Sequence, residues 1–229
     1  MMLEIVVEGT VGAGKTSLVE ILEKGMGMTG FYEMADPAAD EILQKYYTDK
    51  RRWCLTMELF FLHKRFLQIK EASKVENAVM DRSMIGDFVF VKMQKDSGFL
   101  EEMEYELYNS FYQTMSKITP TPKLTIYIYC CVSTTLKRIR KRGRIYEMEV
   151  EKEYWRRLNA YYDEEFLLKP EKNMLIINGD EIDFVESDQD RETVLSAIEK
   201  ALNQEGVYVL SKQGMKRYTA NPKELLELI

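Results

Sequence analysis

Gly9-Thr10-Val11-Gly12-Ala13-Gly14-Lys15-Thr16 decides the fold. It follows an apolar run, Leu3 to Val7, that reads as a buried strand, and it leads through Ser17 into Leu18-Val19-Glu20-Ile21-Leu22, which has helical spacing. Strand, glycine loop, lysine, hydroxyl and helix fit G-x4-G-K-[ST], a phosphate-binding loop. Glycines let several backbone N–H groups turn inward around an anion, and the helix that starts there adds its positive end. Lys15 offers a charge for the outer phosphates, and the Thr16 hydroxyl is a ligand suited to Mg²⁺. The rest of the chain is then expected to supply an acceptor site, a base and charge neutralisation.

The chain has 229 residues, enough for one sizeable domain with its own core. With 45% hydrophobic and 31% charged residues it has the balance of a globular protein, and a net charge of −6 disfavours nonspecific nucleic-acid binding. The three cysteines, Cys54, Cys130 and Cys131, have neither metal-site spacing nor a disulfide pattern. The strand run begins at Leu3, so no signal peptide is expected ahead of it, and no apolar run is long enough for a membrane span. A cytoplasmic protein with neither nucleic-acid nor membrane partner is the expectation. His63 is the single histidine, which leaves a carboxylate as the candidate general base.

Short apolar runs alternate with helical patterns along the chain. Strands are expected at Gly30 to Glu33, Asn77 to Met80, Leu124 to Cys131 and Met174 to Ile177, with helices at about 36–47, 50–73, 83–95, 101–117, 132–142, 149–167 and 190–203. That alternation predicts an α/β fold: a five-stranded parallel sheet covered by helices on both faces. Ligands of such sheets sit at the C-terminal strand ends, where Glu8, Glu33 and Asp81 fall. Residues 1–205 form the expected domain. Residues 206–229 read as an extension without an assigned role: a strand-like Val207 to Leu210, a turn near Gly214 and a helix after Pro222.

Two further stretches carry chemistry. Asp81-Arg82-Ser83 closes a buried strand, so an acid able to hold Mg²⁺ and an arginine able to touch a transferring phosphoryl group face the loop; Asp and Ser are equally ordinary helix starts. Six of the eight residues from Lys137 to Arg144 are basic, with Arg138 and Arg142 one helical turn apart. A solvated basic face would look the same, but a lid at about 138–150 that closes over a triphosphate fits the acidic chain better.

These pieces together resemble the deoxynucleoside kinase family, most closely its bacterial deoxyadenosine/deoxyguanosine kinase branch. The likeness runs from residue 3 to about 202 and rests on Glu8 to Thr16, Tyr32-Glu33, Tyr47 ahead of Trp53, Phe61 to Phe66, Asp81-Arg82-Ser83 with Asp87, and Arg138 to Arg144 with Glu147. The resemblance implies a P-loop kinase fold and transfer of the γ-phosphate of ATP, or another nucleoside triphosphate, to the 5′-hydroxyl of a deoxynucleoside. It implies Glu33 as general base, Arg82 and Lys15 as its catalytic partners, and Thr16 and Asp81 as the Mg²⁺ positions. Tyr47 and Glu147 match the pair at the 3′-hydroxyl, Arg65 and Asp87 a pair near the base, and Phe90 an aromatic against the base. Arg138, Arg142 and Arg144 match the lid, and a homodimer through the helices at 50–73 and 83–117 is implied.

One position departs from the pattern. Where the family usually has a glutamine five residues after the tryptophan, this chain has Glu58, and Arg65 follows two helical turns on along the same face. An ionised glutamate only accepts hydrogen bonds, and guanine offers two adjacent donors where adenine offers one donor and one acceptor. The resemblance implies, through Arg65 and Asp87, a purine or cytosine base over thymine, with a purine expected, and Glu58 tilts the pocket toward deoxyguanosine unless Arg65 neutralises it or it is protonated. A nucleoside monophosphate kinase and a non-catalytic nucleotide-binding subunit are the alternative readings.

Overall fold

The computed structural model describes residues 3–33 and 37–218. Its centre is a sheet of seven strands in the order β2-β3-β1-β4-β5-β6-β7. Five of them run parallel: β1 (Leu3–Glu8), β2 (Thr29–Phe31), β3 (Ala78–Asp81), β4 (Pro122–Tyr129) and β5 (Met174–Asn178). The sixth, β6 (Val207–Ser211), adds a parallel strand beside β5, and β7 (Gly214–Tyr218) returns antiparallel along the edge. The sheet thus has seven strands where the sequence pattern suggested five. β6 joins it by pairing with β5, a partner distant in sequence that local periodicity does not reveal, and β7 pairs back on β6. The helix expected after Pro222 lies outside the described residues.

The central strands are apolar along their length because helices cover both faces; every residue of β3 and β5 is buried. On one face β1, β4 and β5 meet α1 (Lys15–Met26) and α9 (Asp188–Asn203), through Leu18, Leu22, Val194 and Ile198. On the other, α3 (Lys50–Ala72), α4 (Met84–Asp96) and α8 (Lys152–Phe166) bury Met57, Leu62, Val91, Trp155 and Leu158. The helices α2 (Pro37–Thr48) and α5 (Glu102–Ser116) pack outside α3, and α6 (Val132–Arg142) leads to a four-residue turn of helix, α7 (Ile145–Met148). That short helix was not expected from the sequence, and α8 begins at Lys152 rather than 149. None of the helices among the described residues is long and apolar enough to cross a membrane.

Candidate active site

The phosphate-binding loop joins β1 to α1. Gly14 stands at the helix N-cap with φ of +105°, a left-handed backbone that a side chain would strain. Inside the turn, Lys15 Nζ donates to the carbonyls of Gly9 (2.9 Å) and Thr10 (3.0 Å). Burial and the neighbouring Arg82 lower its pKa to about 8. Lys15 therefore rests on the loop's own carbonyls, with its ammonium at the mouth where phosphates would arrive. From the first turn of α1, Thr16 Oγ1 donates to Asp81 Oδ2 at 2.6 Å. The second oxygen of Asp81 is buried with no hydrogen-bond partner. A hydroxyl, a carboxylate and an unsatisfied carboxylate oxygen suit a hard divalent cation that completes its shell with water and phosphate oxygens, so the residues present fit Mg²⁺.

The Asp81-Arg82-Ser83 turn is built with strain. Arg82 has φ of +82°, rare for a residue with a side chain, and its N–H donates to Val7 O (2.9 Å). Glu8 holds the turn from beneath: its Oε1 accepts from Ser83 N (2.6 Å) and Ser83 Oγ (2.5 Å). Burial lifts the Glu8 pKa to about 7 despite the nearby Arg82. Gly86 leaves room for this arrangement, since a Cβ there would lie 2.5 Å from Glu8 Oε2 and 2.8 Å from Arg82 Cγ. Arg82 itself is wedged against Phe90 (5.0 Å to the ring centre), and its Nη1 donates to the hydroxyl of Tyr162 on α8.

Glu33 follows β2 and faces this turn. Arg82 Nε and Arg65 Nη2 both meet the same carboxylate oxygen, Oε1, at 2.8 Å. The Glu33 side chain is 20% exposed while the two arginines are almost fully enclosed. Burial alone would raise its pKa, but Arg82, Arg65 and Lys15 outweigh it and hold the carboxyl at about 2. Arg65 also donates to Asp87 (3.2 Å), to the carbonyl of Asp81 (2.8 Å) and to Gln68 (3.0 Å), whose amide reaches Tyr32 O. The sequence pattern put Arg65 beside Asp87; its simultaneous hold on Glu33 and on the end of β3 was not foreseen.

A narrow cavity of about 100 Å³ joins these groups. Lys15, Thr16, Glu33, Tyr47, Glu58, Asp81, Arg82, Asp87, Phe90, Arg142, Arg144 and Glu147 all line it, and Arg65 stands behind Asp87. It is smaller than the ~300–1,000 Å³ of ordinary ligand pockets, so a ligand of nucleoside size requires the wall formed by α6 and α7 to move. On that wall Glu147 is buried and takes Arg142 on one oxygen and Arg144 on the other (3.3 Å). Tyr47 stacks on Tyr146 with ring centres 5.5 Å apart.

Arg138 lies elsewhere. Its Nη1 donates to Ala13 O (2.6 Å) and its Nη2 to Gly179 O (2.8 Å), so it ties the phosphate loop to the end of β5, while Arg142 and Arg144 meet Glu147. It lines a second cavity of about 620 Å³ with Gly12, Gly14, Ser17, Gly179, Asp180, Ile182 and Asp183. Gly9, Thr10, Val11 and Ala13 complete the loop between the two cavities, and Val11 lines the first. Glu58 carries no bond from Arg65, whose donors are taken up as described; one of its oxygens is buried without a partner. Burial and the nearby Asp87 push its pKa well above the carboxylate range. Tyr162, which sequence reading passed over, sits in an i, i+4 stripe with Leu158 and Phe166 that reads as core.

A family model described as deoxynucleoside kinase matches residues 5–203. A deoxyadenosine kinase of Lactobacillus acidophilus is 36% identical over 90% of this chain and 99% of its own length. A deoxyguanosine kinase of the same species is 35% identical, over 90% of this chain and 93% of its own. Among solved structures, a deoxyadenosine kinase from M. mycoides with bound dATP superposes with a TM-score of 0.75 at 26% identity, covering 86% of this chain and 99% of that one.

Proposed function

The chain belongs to the deoxynucleoside kinase family and is an enzyme of that class, and from that premise we propose that it transfers the γ-phosphate of ATP, or of another nucleoside triphosphate, to the 5′-hydroxyl of a purine deoxynucleoside. The observation that carries this reading is the pair of guanidinium groups on Glu33 Oε1, at the border between the phosphate loop and an enclosed acidic cavity. With Oε1 committed to Arg82 and Arg65, Oε2 is the oxygen assigned to the 5′-hydroxyl. A carboxylate held at about 2 is a weak base at rest. Arg82 also lines the cavity beside Lys15 and Thr16, on the proposed path of the phosphoryl group. As it turns part of its charge to the phosphoryl oxygens, Glu33 regains basicity at the moment the hydroxyl needs it, which suits the loose transition state of phosphoryl transfer.

Lys15 leaves its loop carbonyls for the β- and γ-phosphates, and Arg142 and Arg144 close from the lid. Thr16 and Asp81 would hold Mg²⁺, which when bound neutralises charge on the phosphate oxygens. Tyr47 and Glu147 take the sugar, while Phe90, Asp87 with Arg65, and Glu58 take the base; Glu58 gives a tilt toward deoxyguanosine in its ionised form. The acceptor cavity gathers Glu33, Glu58, Asp87 and Glu147, and its cations already have partners, which favours a nucleoside over a monophosphate as acceptor. A homodimer through α3 and α5 is supported by exposed Leu67 and by Met103, Leu107 and Phe111, spaced one helical turn apart. Buried free thiols at Cys54 and Cys130 fit a cytoplasmic setting. The test is an acceptor panel with ATP and Mg²⁺ covering the four deoxynucleosides and their monophosphates. Phosphorylation of monophosphates in preference to nucleosides overturns the reading.

A further inference from the structure

Resting on the kinase reading above, we infer that Glu58 meets the two purines in opposite protonation states, ionised against guanine and protonated against adenine, so that the choice between deoxyguanosine and deoxyadenosine is set by pH.

The geometry begins with an unsatisfied group. Glu58 is 2% exposed, lines the acceptor cavity, and has an Oε1 with no hydrogen-bond partner among the described residues. A buried polar atom without a partner is costly, and one that borders a ligand cavity is satisfied by the ligand. The cation that could have balanced Glu58 from its own helix, Arg65, is spent on Asp87, Glu33 and the Asp81 carbonyl. Of the other groups that face it, Asp87 on α4 and Glu33 after β2 repel its charge, and Arg82 in the β3–α4 turn attracts it. The remaining titratable neighbours are Cys54 on α3, Tyr46 on α2, Tyr108 on α5 and Tyr154 on α8, none of them charged near neutrality. Burial and Asp87 therefore favour the protonated form in the ligand-free site.

The bases ask for different forms. Guanine presents N1–H and the 2-amino group side by side, and both donate to the two oxygens of an ionised Glu58, whose proton leaves to solvent. Such charge-assisted bonds are roughly twice as strong as neutral ones. Adenine presents the 6-amino donor beside the N1 acceptor; its amino group donates to the Glu58 carbonyl oxygen while the Glu58 hydroxyl donates to N1, and no proton is exchanged. Cytosine has the same donor–acceptor order as adenine and should follow it. Guanine capture thus releases one proton that adenine capture does not, which by linkage makes the selectivity ratio change about tenfold per pH unit.

The experiment is a competition: equal deoxyguanosine and deoxyadenosine in one mixture with ATP and Mg²⁺, from pH 6 to 8, with the two monophosphate products separated and counted. The product ratio equals the ratio of kcat/KM values, from which every ionisation that both reactions share cancels. The expected result is a deoxyguanosine-to-deoxyadenosine ratio that rises about 100-fold across the range in the native enzyme and stays flat in Glu58→Gln. The native profile decides even if Glu58→Gln does not fold. A native ratio that moves less than about twofold while both products form overturns the inference and leaves the kinase reading standing, as guanine would then be taken by protonated Glu58 through N1–H and O6. An equal rise in Glu58→Gln also overturns it. Absence of product from every deoxynucleoside at every pH falls on the kinase reading and takes this inference with it.

Discussion

Replacing Glu33 by glutamine tests the base and its ion pairs in one variant. The carboxyl is held at about 2 against an ordinary 4.5, so at neutral pH the folded protein gains from its charge roughly 1.4 kcal/mol for each of about 2.5 pH units, or about 3.5 kcal/mol. This is an upper bound for the loss in Glu33→Gln, because the amide oxygen still accepts from Arg65 Nη2 and Arg65 keeps Asp87 at 3.2 Å. A folded pKa below the unfolded one gives stability that is present above pH 4.5 and lost as pH falls toward 2. Denaturant midpoints of the two proteins should therefore differ at pH 7 and converge in acid. A domain of this kind holds ~5–15 kcal/mol, so the variant stays folded at 25 °C, and a fall in turnover is chemical. Loss of a general base removes about 10²–10⁴ from kcat. Turnover within tenfold of the native enzyme would refute Glu33 as the base. Unchanged stability at pH 7 would refute the ion pairs.

Three other substitutions probe the supports. Gly86→Ala puts a methyl 2.5 Å from Glu8 Oε2 and should cost about 1–3 kcal/mol in thermal unfolding while shifting the Arg82 turn; an unchanged Tm would mean that the turn is looser than described. Tyr162→Phe removes the hydroxyl that receives Arg82 Nη1 and should lower kcat about tenfold, roughly 1.4 kcal/mol, with little change in the nucleoside KM. A change confined to KM would mean that Tyr162 serves binding alone. Thr16→Ala takes one of the two oxygens from the cation site and should raise the Mg²⁺ concentration for half-maximal rate by about tenfold or more, and an unaltered Mg²⁺ titration would remove Thr16 from that site.

The parts of the site that could be read in the sequence are those encoded locally. A glycine loop between a strand and a helix, and acids at strand ends, keep their meaning whatever packs around them, so Lys15, Thr16, Glu33 and Asp81 meet as expected. What escaped notice depends on distant contacts. The four-residue helix that carries Glu147 is too short for any periodicity, yet it buries that carboxylate under two arginines. Tyr162 lies in an apolar stripe whose one polar atom shows its purpose only when Arg82 arrives from the other side of the chain. Arg138 shares a face with Arg142 in sequence, but in space one braces the loop and the other caps Glu147. Strands β6 and β7 need β5 as a template before their alternation means anything.

The unequal treatment of the four carboxylates other than Asp81, which Thr16 holds at the cation site, links these observations. Glu33 and Glu147 each hold two arginines, and Asp87 is paired with Arg65; Glu58 has no such pairing. Removing any paired acid leaves a cation with less compensation, which is destabilising in a buried setting. Burial and Asp87 favour the protonated form of Glu58 in the ligand-free site, so its replacement leaves no cation without compensation. Three of these acids thus hold the site together through their charges, while the fourth keeps a buried oxygen that nothing among the described residues satisfies. A residue retained on those terms is explained by what it does to the ligand, and the orphaned oxygen of Glu58, at the wall of the cavity, is where the difference between two bases can be felt.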